Sequence, residues 1–183
     1  RWYSIGNFFR YERSQKGRER EFYQLNADIV GASGVEADAE IISLAHSIML
    51  SLGADESMFE IRVSDRRILD SAYDATSVEE SLRPQVTRIL DKREKIENFN
   101  DALSEIIGSR ADKLISNLDR TTSSAYLERL RSVLSGLGVT NMAVDTSVTR
   151  GFDYYTGMVF EVFDTSGENT RSIFGGGRYD ELL

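Results

Sequence analysis

Residues 1–31 read RWYSIGNFFRYERSQKGREREFYQLNADIVG, two apolar-rich arms around a basic loop. The first arm carries Trp2, Tyr3, Ile5, Phe8 and Phe9, and the second carries Phe22, Tyr23, Leu25, Ile29 and Val30. Between them lie Arg13, Lys16, Arg18 and Arg20 with Gly17 at the loop's centre. Aromatic and β-branched runs on either side of a polar, glycine-containing loop predict a hairpin. Such a hairpin aims cations at something anionic.

The charge distribution supports that reading. The whole chain carries a net charge of −8, which argues against a broad nucleic-acid-binding face. Residues 1–20 nevertheless hold a local balance of +4, leaving −12 on the remainder. Cationic character focused in one loop suits a polyphosphate or an RNA end better than a duplex. Read by composition alone, the same loop is a solvated turn.

At 183 residues the chain can bury a core as one large domain or two small ones. Its 40% hydrophobic and 28% charged residues are ordinary proportions for a globular protein. No apolar run approaches the roughly 18 residues of a membrane span, and no secretory pattern opens the chain, so a cytoplasmic protein with no membrane partner is expected. Without cysteine there are no disulfides or thiolate sites, and with 1 histidine little material exists for zinc, so no tightly bound metal is expected. An arginine at position 1, already inside a strand-like pattern, suggests an excised piece of a longer protein.

Ser33 to Glu36 has capping-box spacing before a periodic run of Ile41, Leu44, Ala45, Ile48, Met49 and Leu52 closed by Gly53, which predicts an amphipathic helix. His46 lies one residue from that stripe and reads as structural or exposed. Met58–Val63 alternates like a strand. From about residue 66 the pattern turns helical, with a second capping box at Ser77–Glu80 and helices expected over Val86–Phe99 and Ser124–Leu137. Charges over 66–138 balance at 12 basic against 12 acidic residues, and Pro84 is expected in a first turn or at a kink. Strand patterning returns at Asn141–Val148, Tyr154–Phe163 and Arg171–Phe174, with a polar turn from Asp164.

Two further stretches stand out, Arg150-Gly-Phe-Asp-Tyr-Tyr155 and Gly175-Gly-Gly-Arg-Tyr-Asp180. The second lacks the spacing of a dinucleotide-binding glycine loop, and alone it is a plain turn. Taken in order, the hairpin and these two stretches resemble motif 2 and the two histidine-specific motifs of the histidyl-tRNA synthetase family, which is class II. The resemblance covers essentially all 183 residues. It implies an α+β fold, an antiparallel class II synthetase-type sheet flanked by helices and interrupted by a mainly helical insertion. The expected divisions are 1–65 (motif 2 hairpin, helix, strand), 66–138 (insertion) and 139–183 (histidine-specific motifs).

The implied reaction joins a carboxylate to the α-phosphate of ATP, so phosphate charge must be neutralised and the amino acid fixed at both ends. By resemblance Arg10 bridges the α-phosphate and the substrate carboxylate, a task that suits a guanidinium fork. Glu12 is placed to accept from the adenine amino group and Phe22 to stack on the ring, while Arg18 and Arg20 reach the outer phosphates or the tRNA end. Read in isolation, Arg10 and Glu12 are a cross-linked pair on a surface strand. Gln24 and Asp28 lie on one face of the returning strand, and the resemblance implies that they bind the carboxylate and ammonium ends of histidine. Many bacterial members carry glutamate where this chain has Asp28, which reaches less far by roughly 1.5 Å. The resemblance implies that Arg150 is a built-in cation that stabilises the pentacovalent α-phosphate. Phe152 replaces the commoner leucine of that motif. Tyr155 meets the imidazole with Tyr154 beside it, and Tyr179 closes the far wall. Without Arg150 in front, these aromatics read as β-core residues. Magnesium is expected to accompany ATP.

The resemblance further implies L-histidine, ATP and tRNA(His) as partners, and a homodimer for the intact protein. Motifs 1 and 3 and the anticodon-binding domain have no counterpart in these residues, so the piece alone is expected not to aminoacylate. Two alternatives remain open. One is the synthetase-like regulatory subunit of ATP phosphoribosyltransferase, which senses histidine, usually lacks the insertion and has a degraded Arg-Gly-x-Asp-Tyr-Tyr motif. The other is a non-catalytic RNA-binding module built on the helical segment.

Overall fold

The computed structural model describes residues 1–11, 13, 19–93, 96–121, 123–148, 154–167 and 171–181. The opening hairpin is present as β1 (Trp2–Phe9) and β2 (Glu21–Asp28), paired antiparallel from Trp2 opposite Asp28 to Phe9 opposite Glu21. Alternation divides its side chains between two faces. Phe8, Phe22, Gln24, Asn26 and Asp28 share one, and Tyr3, Ile5, Phe9, Tyr23 and Leu25 share the other, where they remain exposed.

A second sheet has four strands. Helix α1 (Val35–Ser51) leads into β3 (Phe59–Asp65), and helices α2 (Arg66–Ala75), α3 (Arg83–Leu90), α4 (Phe99–Ile107), α5 (Arg110–Arg120) and α6 (Ala125–Gly136) follow. The chain then returns as β4 (Met142–Val144), β5 (Met158–Asp164) and β6 (Ser172–Gly177). The strand order is β4-β3-β5-β6. β3–β5 and β5–β6 are antiparallel, whereas β3–β4 is parallel, a departure from the purely antiparallel expectation. A parallel pair needs a long crossover, and the helices between β3 and β4 supply it.

β5 explains how one sheet serves two cores. Met158, Phe160 and Val162 pack with Ile42 of α1, with Phe59, Ile61 and Val63 of β3, and with Leu127, Leu130 and Leu134 of α6. Val159 and Phe163 join the other core, built from Tyr73, Val86, Phe99, Leu103 and Leu114 on α2 to α5. A strand buried on both sides must be apolar at consecutive positions, and Met-Val-Phe-Glu-Val-Phe is nearly so. Helix α6 therefore packs with the first core, although it lies within the 66–138 stretch.

Several local expectations shift. Gly34, not Ser33, is the N-cap of α1, and no side chain caps it; Glu36 instead pairs with Arg129 at 3.1 Å. The buried face of α1 is Val35, Asp38, Ala39, Ile42, Ala45 and His46, with Leu44 and Leu52 exposed. Polar residues can occupy that face because each has a partner: Asp38 meets Arg178, and His46 Nε2 lies 3.1 Å from Glu56 Oε1. No helix starts at the Ser77–Glu80 box; α3 begins at Arg83 with Pro84 in its first turn. The run expected as one helix over Val86–Phe99 is split, so that both Leu90 and Phe99 reach the second core. At α6 the helix is capped by Ser124, which accepts from the Leu127 amide at 3.2 Å.

Candidate active site

Three segments distant in sequence converge beside the end of β2. Asp28 is the last residue of that strand, Tyr155 precedes β5, and Tyr179 follows β6. Tyr179 Oη donates a hydrogen bond to Asp28 Oδ1. The Tyr179 and Tyr155 ring centroids are 6.4 Å apart, and those of Tyr155 and Tyr154 are 4.4 Å apart. The result is a continuous row, Asp28, Tyr179, Tyr155, Tyr154.

Its electrostatics keep the Tyr155 and Tyr179 phenols neutral. The hydrogen bond to Asp28 pushes Tyr179 up to about 12, with burial adding to it. Burial, then the neighbouring Tyr154 phenol, pushes Tyr155 far above the ordinary phenol range. At neutral pH both are hydrogen-bonding groups without charge, next to the Asp28 carboxylate. Neutral phenols beside one anion can hold a cationic amine together with a polar ring.

The glycine run of β6 makes this packing possible. A Cβ on Gly175 would collide with the Phe160 carbonyl oxygen, and one on Gly177 would lie 2.8 Å from the Met158 oxygen and 2.9 Å from the Tyr155 ring. Only a residue without a side chain brings β6 this close to β5 and to the ring of Tyr155.

On the hairpin, the Arg10 amide donates to the Arg20 carbonyl at 2.9 Å, extending the ladder beyond the strands. The Arg10 guanidinium lies over the Phe22 ring at 4.2 Å from its centroid, and Arg10 Nε donates to the Glu19 carbonyl at 3.3 Å. Phe8 stacks near the same ring at 6.2 Å. Arg10 and Phe22 are thus brought together in a cation–π contact. Gln24 is exposed on the Asp28 side of the hairpin, and its Nε2 donates to Asn26 Oδ1 at 2.5 Å. Glu12, Arg18 and Arg150 lie outside the described residues. Among the described residues no group of three or more His, Asp or Glu side chains could hold a metal ion, and no helix is long and apolar enough to cross a membrane.

One residue pair escapes the sequence reading. Arg178 and Asp38 form an ion pair of 2.7 Å with side chains only 13% and 7% exposed. Its signal was an acidic residue on the buried side of the α1 pattern, between Val35 and Ile42, which demands a buried cation from elsewhere.

A family model described as histidyl-tRNA synthetase matches residues 1–183. A histidine–tRNA ligase of Leptospira biflexa is 38% identical over all of this chain, which spans 46% of that protein. Histidine–tRNA ligases of Natronomonas pharaonis and Halobacterium salinarum are each 41% identical, again over the full chain and 47% of their own length. The chain therefore spans about half the length of these curated relatives. A crystal structure of histidyl-tRNA synthetase from a Nostoc species superposes with a TM-score of 0.80 at 25% identity, covering 98% of this chain and 47% of that one. A Bacillus halodurans structure described as an ATP phosphoribosyltransferase regulatory subunit/histidyl-tRNA synthetase shares the fold at a TM-score of 0.76 and 22% identity, covering 97% of this chain and 50% of that one.

Proposed function

Because this chain belongs to the histidyl-tRNA synthetase family, we propose that it supplies the histidine- and ATP-binding part of an enzyme that activates L-histidine and transfers it to tRNA(His). The observation that carries the reading is the row formed by Asp28, Tyr179 and Tyr155 from three separate segments. Asp28 receives the ammonium of histidine. Tyr155 faces its imidazole, Tyr154 stands beside it, Tyr179 closes the wall, and Gln24 takes the carboxylate end. The half-buried, protonated phenol of Tyr155 discriminates against side chains that lack a ring nitrogen, because its hydrogen bond would go unmade.

ATP lies along the hairpin, with adenine on Phe22, its amino group toward Glu12, and the phosphates toward Arg10 and Arg18. A histidine carboxylate oxygen attacks the α-phosphorus as the bond to the bridging oxygen breaks, giving histidyl-adenylate and pyrophosphate. Arg10 and Arg150 stabilise the charge that develops on the α-phosphate oxygens. Magnesium arrives on the ATP phosphates, where it shares their charge. Transfer to the terminal ribose of tRNA(His) then releases AMP. Residues 66–138 form the helical insertion between the two core parts, 1–65 and 139–183, and the intact protein works as a cytoplasmic homodimer.

Charging of a tRNA(His) transcript with labelled histidine by the full-length protein tests this. The expected result is histidine-specific charging. Histidine binding without any charging would instead favour the regulatory-subunit reading.

A further inference from the structure

Arg178 touches every segment that builds the Asp28–Tyr179 wall without belonging to it. It directly precedes Tyr179, yet its side chain faces the start of α1 while Tyr179 faces Asp28. Nη2 and Nε donate to Asp38 at 2.7 and 3.2 Å. Nη2 also donates to the Gly34 carbonyl at 3.1 Å, and Nη1 to the Ala32 carbonyl at 3.3 Å. Ala32 and Gly34 belong to the short connection that follows Asp28, so the guanidinium grips the chain on that residue's far side.

The backbone of Arg178 ties in the third segment. Its amide donates to Met158 O at 2.8 Å and its carbonyl accepts from the Thr156 amide at 2.7 Å, directly beside Tyr155. Thr156 Oγ1 accepts from the Asp180 amide at 3.0 Å. The side-chain stem runs over Gly157, where a Cβ would lie 3.1 Å from Arg178 Cδ. With charge-assisted bonds in a fixed fork and little solvent, the Asp38–Arg178 pair is a rigid joint.

We propose that Arg178, seated on Asp38, is a positioning residue for histidine: it fixes the separation of Asp28 and Tyr179 and so sets the ammonium end of the pocket. This rests on the functional reading above. Lysine at 178 keeps the charge but cannot bridge Asp38 and two carbonyls at once, so the wall loosens while the hairpin's ATP groups stay in place.

Histidine- and ATP-dependence of pyrophosphate exchange, measured on the full-length protein with Arg178→Lys, Tyr179→Phe and the double variant, tests the proposal. Arg178→Lys should raise the KM for histidine about tenfold or more, the scale of a misplaced contact, with the KM for ATP within about twofold. In the Tyr179→Phe background the same change should cost about threefold or less, because the contact it positions is already gone. A merely structural role would raise both KM values together, or give the same loss in both backgrounds, and either result overturns the proposal. Asp38→Asn, nearly isosteric, carries the same cycle if Arg178→Lys does not fold. A wild-type protein without histidine-dependent exchange would overturn the functional reading itself, and the proposal with it.

Discussion

Tyr179 and Asp28, 151 positions apart in the chain, meet through a hydrogen bond from the phenol to the carboxylate. The bond fixes Tyr179 as a donor and marks Asp28 as the anionic end of the row. Asp28 ends β2 and Tyr179 follows β6, so the bond joins the hairpin to the four-stranded sheet.

Asp28→Asn in the full-length protein keeps the shape and removes the charge. The KM for histidine should rise by about 30-fold or more, since losing one partner of a close charge pair costs about 2–5 kcal/mol. The KM for ATP should stay within about threefold. Tyr179→Phe removes only a neutral donor and should cost histidine affinity about three- to tenfold, near 1 kcal/mol. Steady-state pyrophosphate exchange checks both; equal rises in the two KM values contradict the assignment.

The Arg10 guanidinium over Phe22 predicts a division of labour on the hairpin. Phe22→Leu, which removes the π face, should raise the KM for ATP by about three- to tenfold, given about 0.5–1.5 kcal/mol for a stacked ring pair. Arg10→Lys should lower kcat by about 10²–10³, the cost of losing one donor to developing charge. Both are read from initial rates at varied ATP.

Glycines in two places should respond with opposite sign. Gly175→Ala drives a methyl group into the Phe160 carbonyl, so it should destabilise by about 1–3 kcal/mol. Gly136 ends α6, and a methyl group added there would meet nothing within 4 Å. Its replacement by alanine should therefore stabilise by about 0.5–1 kcal/mol. Urea unfolding of the two variants measures both shifts.

Tyr73 sets an alkaline limit. Burial pushes its phenol up to about 12, against the lowering effect of the hydrogen bond with Thr87 Oγ1 at 2.9 Å. A folded-state value raised above the unfolded one stabilises fully below pH about 10 and is lost as pH rises to about 12, a change of roughly 3 kcal/mol. Tyr73→Phe should show a flatter fall in unfolding free energy over that range. Denaturant titrations at stepped pH test it.

How much of this was legible in the sequence varies with the range of the interaction involved. The hairpin, β3 and α6 follow from local pattern, and their residues fell where alternation and helical spacing indicated. The face of α1 did not, because Asp38 and His46 are buried by partners 140 and 10 positions away, which periodicity cannot see. The parallel pairing of β4 with β3 depends on the crossover and was equally hidden. At the site, resemblance assigned Asp28, Tyr155 and Tyr179 to one histidine pocket, while the bond from Tyr179 to Asp28 and the Arg178 joint emerge only from the fold.

Histidine-dependent ATP–pyrophosphate exchange by the full-length protein, beside its Arg150→Ala variant, tests the central claim most directly. The account predicts exchange that requires histidine and falls about 10²–10³-fold in the variant, as expected for a group that stabilises transition-state charge. Histidine binding without exchange in the wild-type protein would contradict it.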